Sequence, residues 1–393
     1  MKMKTSLTAL SLAVLAAALS GCFRSPADSE NRIIEETAQA ETREIIEVTT
    51  AADEPEEEAA QTETHSGETA QAEPSQDQDP SISLLFGGDV LLSDHVLNAY
   101  ETAGGIGGVL DSGYLQLIDE NDFFIVNQEF PFSDRGTQAP DKQFTFRLPP
   151  ERVSMFQEMG IDAVTLANNH ALDFGTDALL DTISVLDEAG ILHTGAGSDL
   201  KEASQPVLLT AKDRTIAVIG ATRVIPVADW AAGNSHPGML ATYDPAVLLE
   251  EIRQLDEQYD HVIVFVHWGI ERDELPQEYQ RSLGQQYIDA GADLVVGSHP
   301  HVLQGIEYYN GKPIVYSLGN FVFGSSIPRT ALLQAEIWDD GTVRLKLFPG
   351  TSSAGYTRMI TDESQLQEAL DHIRSISFGA DILPDGTVVF AQQ

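Results

Sequence analysis

Five short apolar runs of this chain end in side chains that can bind metal ions or move protons. "SISLLFGGD" ends at Asp89, and "DFFIVNQE" ends at Asn127 and Glu129. "DAVTLANNH" ends at Asn168, Asn169 and His170, with Asp173 close behind. "HVIVFVHWG" ends at His267, and "DLVVGSHPH" ends at His299 and His301, which flank Pro300. A lone histidine or asparagine at a strand end is ordinary turn or surface chemistry. Independent turns have no reason to select Asp, Glu, Asn and His together, the oxygen and nitrogen donors that suit Mn, Fe, Co or Zn. Cys22 is the chain's single cysteine, so a structural zinc site of the thiolate kind is excluded. Asp89, Glu129, Asn169, His267, His299 and His301 exceed what one four-coordinate ion needs. They suffice for two ions that share a carboxylate, an arrangement suited to displacement at phosphorus. Pro300 fixes φ and removes a donor, and so can hold the spacing of the two histidines beside it.

Those endings must converge if they are to act together. The runs are rich in Val, Ile, Leu and Phe, as strands buried on both faces are. Amphipathic stretches such as "TDALLDTISVLDEAG" and "YQRSLGQQYIDAG" alternate with them and predict helices over the sheet. In open α/β sheets ligands bind beyond the carboxyl ends of the strands, where these residues fall. After "SLGNF", the stretch beginning "ALLQAEIWDDGTVRLKLFP" alternates like strands around a "DDG" turn, which predicts a terminal hairpin.

The blocks "GGDVLL", "NQEF", "NNHALDFG", "HWG", "GSHPHVLQGIE" and "YSLGNFVFG" resemble, in order, those of the CapA (PgsA) family of poly-γ-glutamate capsule synthesis. That family lies within the calcineurin-like metallophosphoesterase superfamily, and the likeness spans about residues 82 to 325. It implies an α/β fold, a four-layer αββα sandwich of two sheets between helices. It also implies that Asp89, Glu129 (as the bridge), Asn169, His267, His299 and His301 hold two divalent ions. His170 would stand near the leaving oxygen, Asp173 would orient it, and Asn320 would line the pocket. The superfamily's first motif is Asp-x-His, whereas Leu91 stands two residues after Asp89 here, so one ion loses a nitrogen ligand. For the substrate, Arg147 in "FTFRLPP" and Arg223 in "GATRVIP" are candidates to meet an anionic group, and Trp268 could wall the pocket. Two functions stay open: a metal-dependent hydrolase of a phosphoester or an envelope polymer, and a non-catalytic subunit that guides the polymer beside a poly-γ-glutamate synthase.

The N-terminus, "MKMKTSLTALSLAVLAAALSGC", has the lysines, short apolar stretch and small residues of an export signal. Leu-Ser-Gly-Cys resembles the bacterial lipobox, which implies a signal over residues 1–21 and lipid on Cys22. The expected location is the outer face of a bacterial membrane, held there by acyl chains. Residues 22–80 read as an extended acidic tether, with 17 acidic against 3 basic side chains. Setting aside the tether's −14 and the signal's +2 from the chain's −39 leaves −27 for residues 81–393, one large domain. So acidic a domain offers no basic face to nucleic acid. A polyanion could approach it only through bound cations or a local cationic spot.

Overall fold

The computed structural model describes residues 81–391. The signal, Cys22 and the tether expected over residues 1–80 lie outside the described residues. Strands β1 (Ile82–Val90), β2 (Phe123–Gln128), β3 (Ala163–Thr165) and β4 (Leu192–Thr194) pair side by side in parallel. Helices α1 (Asp94–Ala103), α2 (Ser112–Asp119), α3 (Ser154–Glu158) and α4 (Thr176–Ala189) connect them. α4 is the stretch predicted from "TDALLDTISVLDEAG". It buries Leu179, Ile183 and Leu186 on one stripe and stops at Gly190, whose φ of 75° gives the left-handed cap that glycine adopts without strain.

The chain then builds a second sheet. A two-residue strand β5 (Ala196–Gly197) and a one-turn helix α5 (Leu200–Ala203) lead into β6 (Val207–Ala211) and β7 (Arg214–Thr222). After β8 (Gly238–Met239), which pairs with β5, come α6 (Ala246–Asp256), β9 (His261–His267), α7 (Glu278–Ala290), β10 (Leu294–Ser298), β11 (Leu303–Tyr309) and β12 (Lys312–Leu318). The sheet order is β6-β7-β9-β10-β12-β11, with its four central strands parallel.

The remaining strands return to the first sheet. β13 (Asn320–Val322) runs parallel to the end of β1, and β14 (Ser326–Ile337) pairs antiparallel along its start. β15 (Val343–Ser353), β16 (Tyr356–Met359), α8 (Glu363–Ser375), β17 (Ala380–Ile382) and β18 (Thr387–Phe390) complete the chain. The expected hairpin is thus present as β14–β15, but it is not terminal: three strands and a helix follow it.

Alternation along each strand sorts side chains between two layers. On β1, Ile82, Leu84 and Phe86 meet Ile263 and Phe265 of β9 in the core between the sheets. Leu85 faces the opposite way, into the core formed with α1 to α4. On β9, Val262, Val264 and Val266 face α6 and α7. The result is the four-layer αββα sandwich. No helix among the described residues is long and apolar enough to cross a membrane.

One of the tightest backbone approaches in the sandwich lies beside the site. A Cβ added to Gly88 would lie 1.9 Å from the carbonyl oxygen of Gly319, where β12 gives way to β13. Gly88 therefore lets β1 run against that corner, and the Asp89 amide donates to the same Gly319 oxygen at 2.8 Å. Gly88→Ala is expected to destabilise the fold by about 3 kcal/mol, as overpacking against backbone does, read as a lower denaturation midpoint. An unchanged midpoint would mean that the corner yields freely.

Candidate metal centre

The parallel registers of the two sheets bring the strand ends together. Asp89 pairs with Asn127 on one side and with Asn320 on the other, while His267 pairs with Ser298 across β9 and β10. The site therefore lies beyond the carboxyl edges of both sheets, where a doubly wound fold leaves space for a ligand.

All six expected ligands converge there, and all are largely removed from solvent. Asp89, Glu129 and His301 each offer a ligand atom within 4.8 Å of the others. His301 Nδ1 lies 3.2 Å from Asp89 Oδ2, and the His299 amide donates to the same oxygen at 3.3 Å. A second group adjoins the first through Glu129, whose Oε1 is 3.5 Å from His267 Nε2, itself 2.9 Å from Asn169 Oδ1. The His299 ring centre is 4.7 Å from that of His267 and 5.9 Å from that of His301. Glu129 thus belongs to both groups, the position a bridging carboxylate needs.

Two buried atoms test whether the cluster fits a metal. Glu129 Oε2 and His299 Nδ1 have no hydrogen-bond partner among the described residues. An orphaned buried acceptor costs roughly 1–3 kcal/mol, and a carboxylate oxygen and an imidazole nitrogen are both atoms that accept a divalent cation. The backbone adds a further cost: His299 has φ of 100° and His301 φ of 57°, left-handed conformations that non-glycine residues rarely adopt. Pro300 lies between these two strained residues. This turn sets the His301 imidazole on Asp89 and the His299 ring beside those of His267 and His301.

The electrostatics are consistent with a site awaiting positive charge. Burial, then Asp89 beside it, pushes the Glu129 carboxyl well above the usual range. Burial, reinforced by neighbouring histidines, lowers His267 well below its ordinary value and His299 to about 4, so both are neutral donors. At His301 burial acts downward, but Glu129 and Asp89 outweigh it and raise the imidazole to about 10.

Behind the ligands lies a supporting layer of Asn127, Asn168, Ser298 and Asn320, of which the sequence singles out all but Ser298. Asn127 Nδ2 is 2.8 Å from Asp89 Oδ1, 3.4 Å from Glu129 Oε1 and 3.3 Å from His267 Nδ1. Asn168 donates to Asn127 Oδ1 at 3.0 Å and accepts from the His170 amide at 3.0 Å, so the first asparagine of "NNH" fixes the loop and the second faces the site. Ser298 Oγ lies 3.0 Å from His267 Nδ1, and a hydroxyl there serves either tautomer of the ring. The same His301 Nδ1 that faces Asp89 also lies 2.8 Å from Asn320 Oδ1.

His170 and Asp173 form the expected pair, with Nδ1 2.7 Å from Asp173 Oδ2. Lys142, absent from the expectations, joins them. Its ammonium contacts the Asn169 carbonyl and Asp173 Oδ1 and lies 3.0 Å from His170 Nδ1. It stands on a loop without periodicity, so nothing in its neighbours marks it. The Phe146 amide donates to Asp173 Oδ2 at 2.7 Å, and its ring lies 4.5 Å from that of His170. Burial holds His170 below its ordinary value despite Asp173.

A cavity of about 540 Å³ opens over this group, and its lining includes His170, His301, Asn320 and Leu91. Leu91 brings an apolar side chain to that lining. Trp268 requires a correction. It is fully buried, donates to the Tyr316 carbonyl at 2.9 Å and stacks with Tyr287 and Tyr316 in the helix-side core. His267 faces the sheet interface, and alternation sends its successor to the other face. The two arginines also stand apart from the cavity lining. Arg147 lies over the Phe174 ring and donates to the Arg135 carbonyl at 3.1 Å. Arg223 lies between the rings of Tyr243 and Tyr279 and donates to the Thr242 carbonyl at 3.1 Å.

The family model of the bacterial capsule synthesis protein PGA_cap matches residues 83–325. The chain is 34% identical over 279 residues to the PGA biosynthesis protein CapA of Bacillus subtilis (strain 168), covering 69% of this chain and 72% of that one. It is 33% identical over 297 residues to the capsule biosynthesis protein CapA of Bacillus anthracis, covering 72% and 71%. A probable polyglutamine synthesis accessory protein of Mycobacterium tuberculosis (strain ATCC 25618 / H37Rv) is 32% identical over 211 residues, covering 51% and 55%. Among solved structures, Haemophilus influenzae NAD nucleotidase (NadN) is similar at a TM-score of 0.44 and 14% identity, covering 76% of this chain and 63% of that one. A likeness that slight carries nothing about function.

Proposed function

We propose, from the premise that this chain belongs to the bacterial capsule synthesis family PGA_cap, that it serves poly-γ-glutamate capsule formation as a divalent-metal-dependent hydrolase. Its substrate would be a phosphoester or a bond of an envelope polymer. The observation that carries the reading is the pair of orphaned atoms, Glu129 Oε2 and His299 Nδ1, inside a buried cluster of oxygen and nitrogen donors. Asp89, Glu129, Asn169, His267, His299 and His301 would hold two ions, with Glu129 shared. Bound there, such ions supply Lewis acidity toward a substrate oxygen and a lowered pKa for water.

The chain's own residues do the rest. Asp173 engages His170 Nδ1, which leaves Nε2 to hold or give a proton at the leaving group. Lys142 neutralises Asp173 and fixes the loop through the Asn169 carbonyl. Asn320 orients His301, while Leu91, Phe146 and Phe323 form apolar walls that limit water beside it. The test is hydrolysis of chromogenic phosphomonoesters and phosphodiesters across Mn, Fe, Co and Zn. Turnover that depends on the metal supports the reading. No turnover with any metal, together with retention on a polyglutamate resin, would instead support a non-catalytic accessory role. The accessory role has its own support in the name of the mycobacterial relative.

The same reading puts the protein on the outer face of a bacterial membrane, near a poly-γ-glutamate synthase. Its support is the lysine-apolar-"LSGC" order of the N-terminus. Cys22→Ser is expected to move the chain from the membrane fraction to the soluble one. Unchanged membrane association would contradict the lipid anchor.

A further inference from the structure

The loop that follows β9, residues 269–277, leans on the turn that carries the two site histidines. Gly269 has φ of 102°, and a Cβ added there would lie 2.9 Å from Pro300 Cγ and 3.1 Å from Gln280 Nε2. The loop thus meets both residues at one point, in a space and a conformation that suit glycine. Three residues on, the Arg272 amide donates to the Pro300 carbonyl at 2.8 Å, with Arg272 at φ of 67°. Two left-handed residues of the loop therefore contact the proline that separates left-handed His299 from left-handed His301. A non-glycine residue in that region costs of order 1–3 kcal/mol and persists only where its surroundings over-determine it.

Two buried glutamines supply those surroundings. Gln280 on α7 is fully buried and Gln304 on β11 nearly so. The Gln277 amide donates to Gln280 Oε1 at 2.8 Å, Gln280 Nε2 donates to Gln304 Oε1 at 2.9 Å, and Gln304 Nε2 donates to the Asp273 carbonyl at 2.8 Å. This chain of donors runs one way, and both of its ends are backbone groups of the loop, so the pair clasps the loop from α7 and β11. Asp273 tightens the clasp, its carboxylate accepting from the Leu275 amide at 3.1 Å and from Gln277 Nε2 at 2.6 Å. Packing alone does not call for these amides. Apolar side chains of the same shape would fill the space at similar stability, because removing both partners of a buried hydrogen bond is nearly neutral. The loop groups they would release, at Asp273 and Gln277, belong to partly exposed residues within reach of water. A fully paired polar chain instead selects one arrangement of the loop.

We propose that Gln280 and Gln304 are positioning residues for the metal centre. They act through Gly269 and Arg272 on Pro300, and so fix the backbone that sets the His299 and His301 rings. Gln304 belongs to the block "GSHPHVLQGIE", so one segment carries both the histidines and a residue that braces their turn. The inference deepens the metal-centre reading and rests on it for its purpose, whereas the bracing is a property of the chain without ions.

The test compares the wild-type full chain with Q280M/Q304M. It reads the imidazole NMR resonances of isotope-labelled histidine in metal-stripped protein, then zinc affinity by chelator competition. H299A and H301A assign the two site resonances. In the double variant those two are expected to move or broaden, while His193 on β4 and His261 at the opposite end of β9 from His267 keep theirs. Zinc affinity is expected to fall about tenfold, the low end of what losing a ligand's outer support costs. The melting midpoint should stay within about 4 °C of wild type. Unmoved site resonances, or unchanged zinc affinity where the wild type binds zinc, would overturn the proposal. Shifts spread over every histidine, or a double variant that does not fold, would overturn it too, because the glutamines would then hold the core at large. A wild-type chain that binds no zinc, with the His299 and His301 resonances still displaced in the variant, would sink the metal reading and leave the bracing standing.

Discussion

Replacing His170 by alanine is expected to leave metal content unchanged and to lower turnover by roughly 10²- to 10⁴-fold, the usual worth of a positioned proton donor. His170 offers no atom to the Asp89–Glu129–His301 set. Its Nδ1 is occupied by Asp173 at 2.7 Å, so its chemistry is confined to Nε2. Asp173→Asn, which keeps the shape and removes the charge, should cost less than His170→Ala and should shift the pH profile. Turnover with a chromogenic phosphodiester and metal analysis of the same preparations check both. Full activity in His170→Ala would reduce this residue to a packing partner of Phe146.

Glu129→Gln is expected to abolish metal binding and activity together, because this carboxylate touches both groups of donors. Metal-stripped protein should move the other way. In the wild type, burial and Asp89 hold the Glu129 carboxyl well above the usual range, and its Oε2 has no partner among the described residues. Replacing this acid relieves the cost of protonating it on folding at neutral pH, and should stabilise the stripped chain by about 1 kcal/mol, on the order of 2 °C in Tm for a large domain. Opposite signs for stability and function mark a group kept for its chemistry. A stripped Glu129→Gln chain that melts lower than wild type would mean that Glu129 contributes to the fold itself.

Strand endings were the legible part of this molecule. Apolar runs buried on both faces stop where the chain must turn, so the polar residues after "FGG", "FIV", "VFV" and "VVGS" mark one edge of the sandwich. Helix α4 was equally plain, since its apolar stripe and Gly190 cap are local signals. Trp268 misled because aromatic character after a strand says nothing about which face it takes. The alternation of Val262, Val264 and Val266 toward the helices would have assigned it to the core. Lys142 was illegible, since a lone loop lysine acquires its role only when Asp173 and the Asn169 carbonyl are brought to it by the fold. The left-handed backbone at His299 and His301 was hidden too, because Pro300 restricts only its own φ and disfavours helix before it.

The most direct test of the central claim is the metal content of the purified chain, prepared in metal-replete medium, beside His299→Ala and His301→Ala. About two ions per chain, with each variant losing about one, is the expected result for a pair of ions sharing Glu129. No bound metal, or variants that retain the wild-type content, would contradict the ligand assignment.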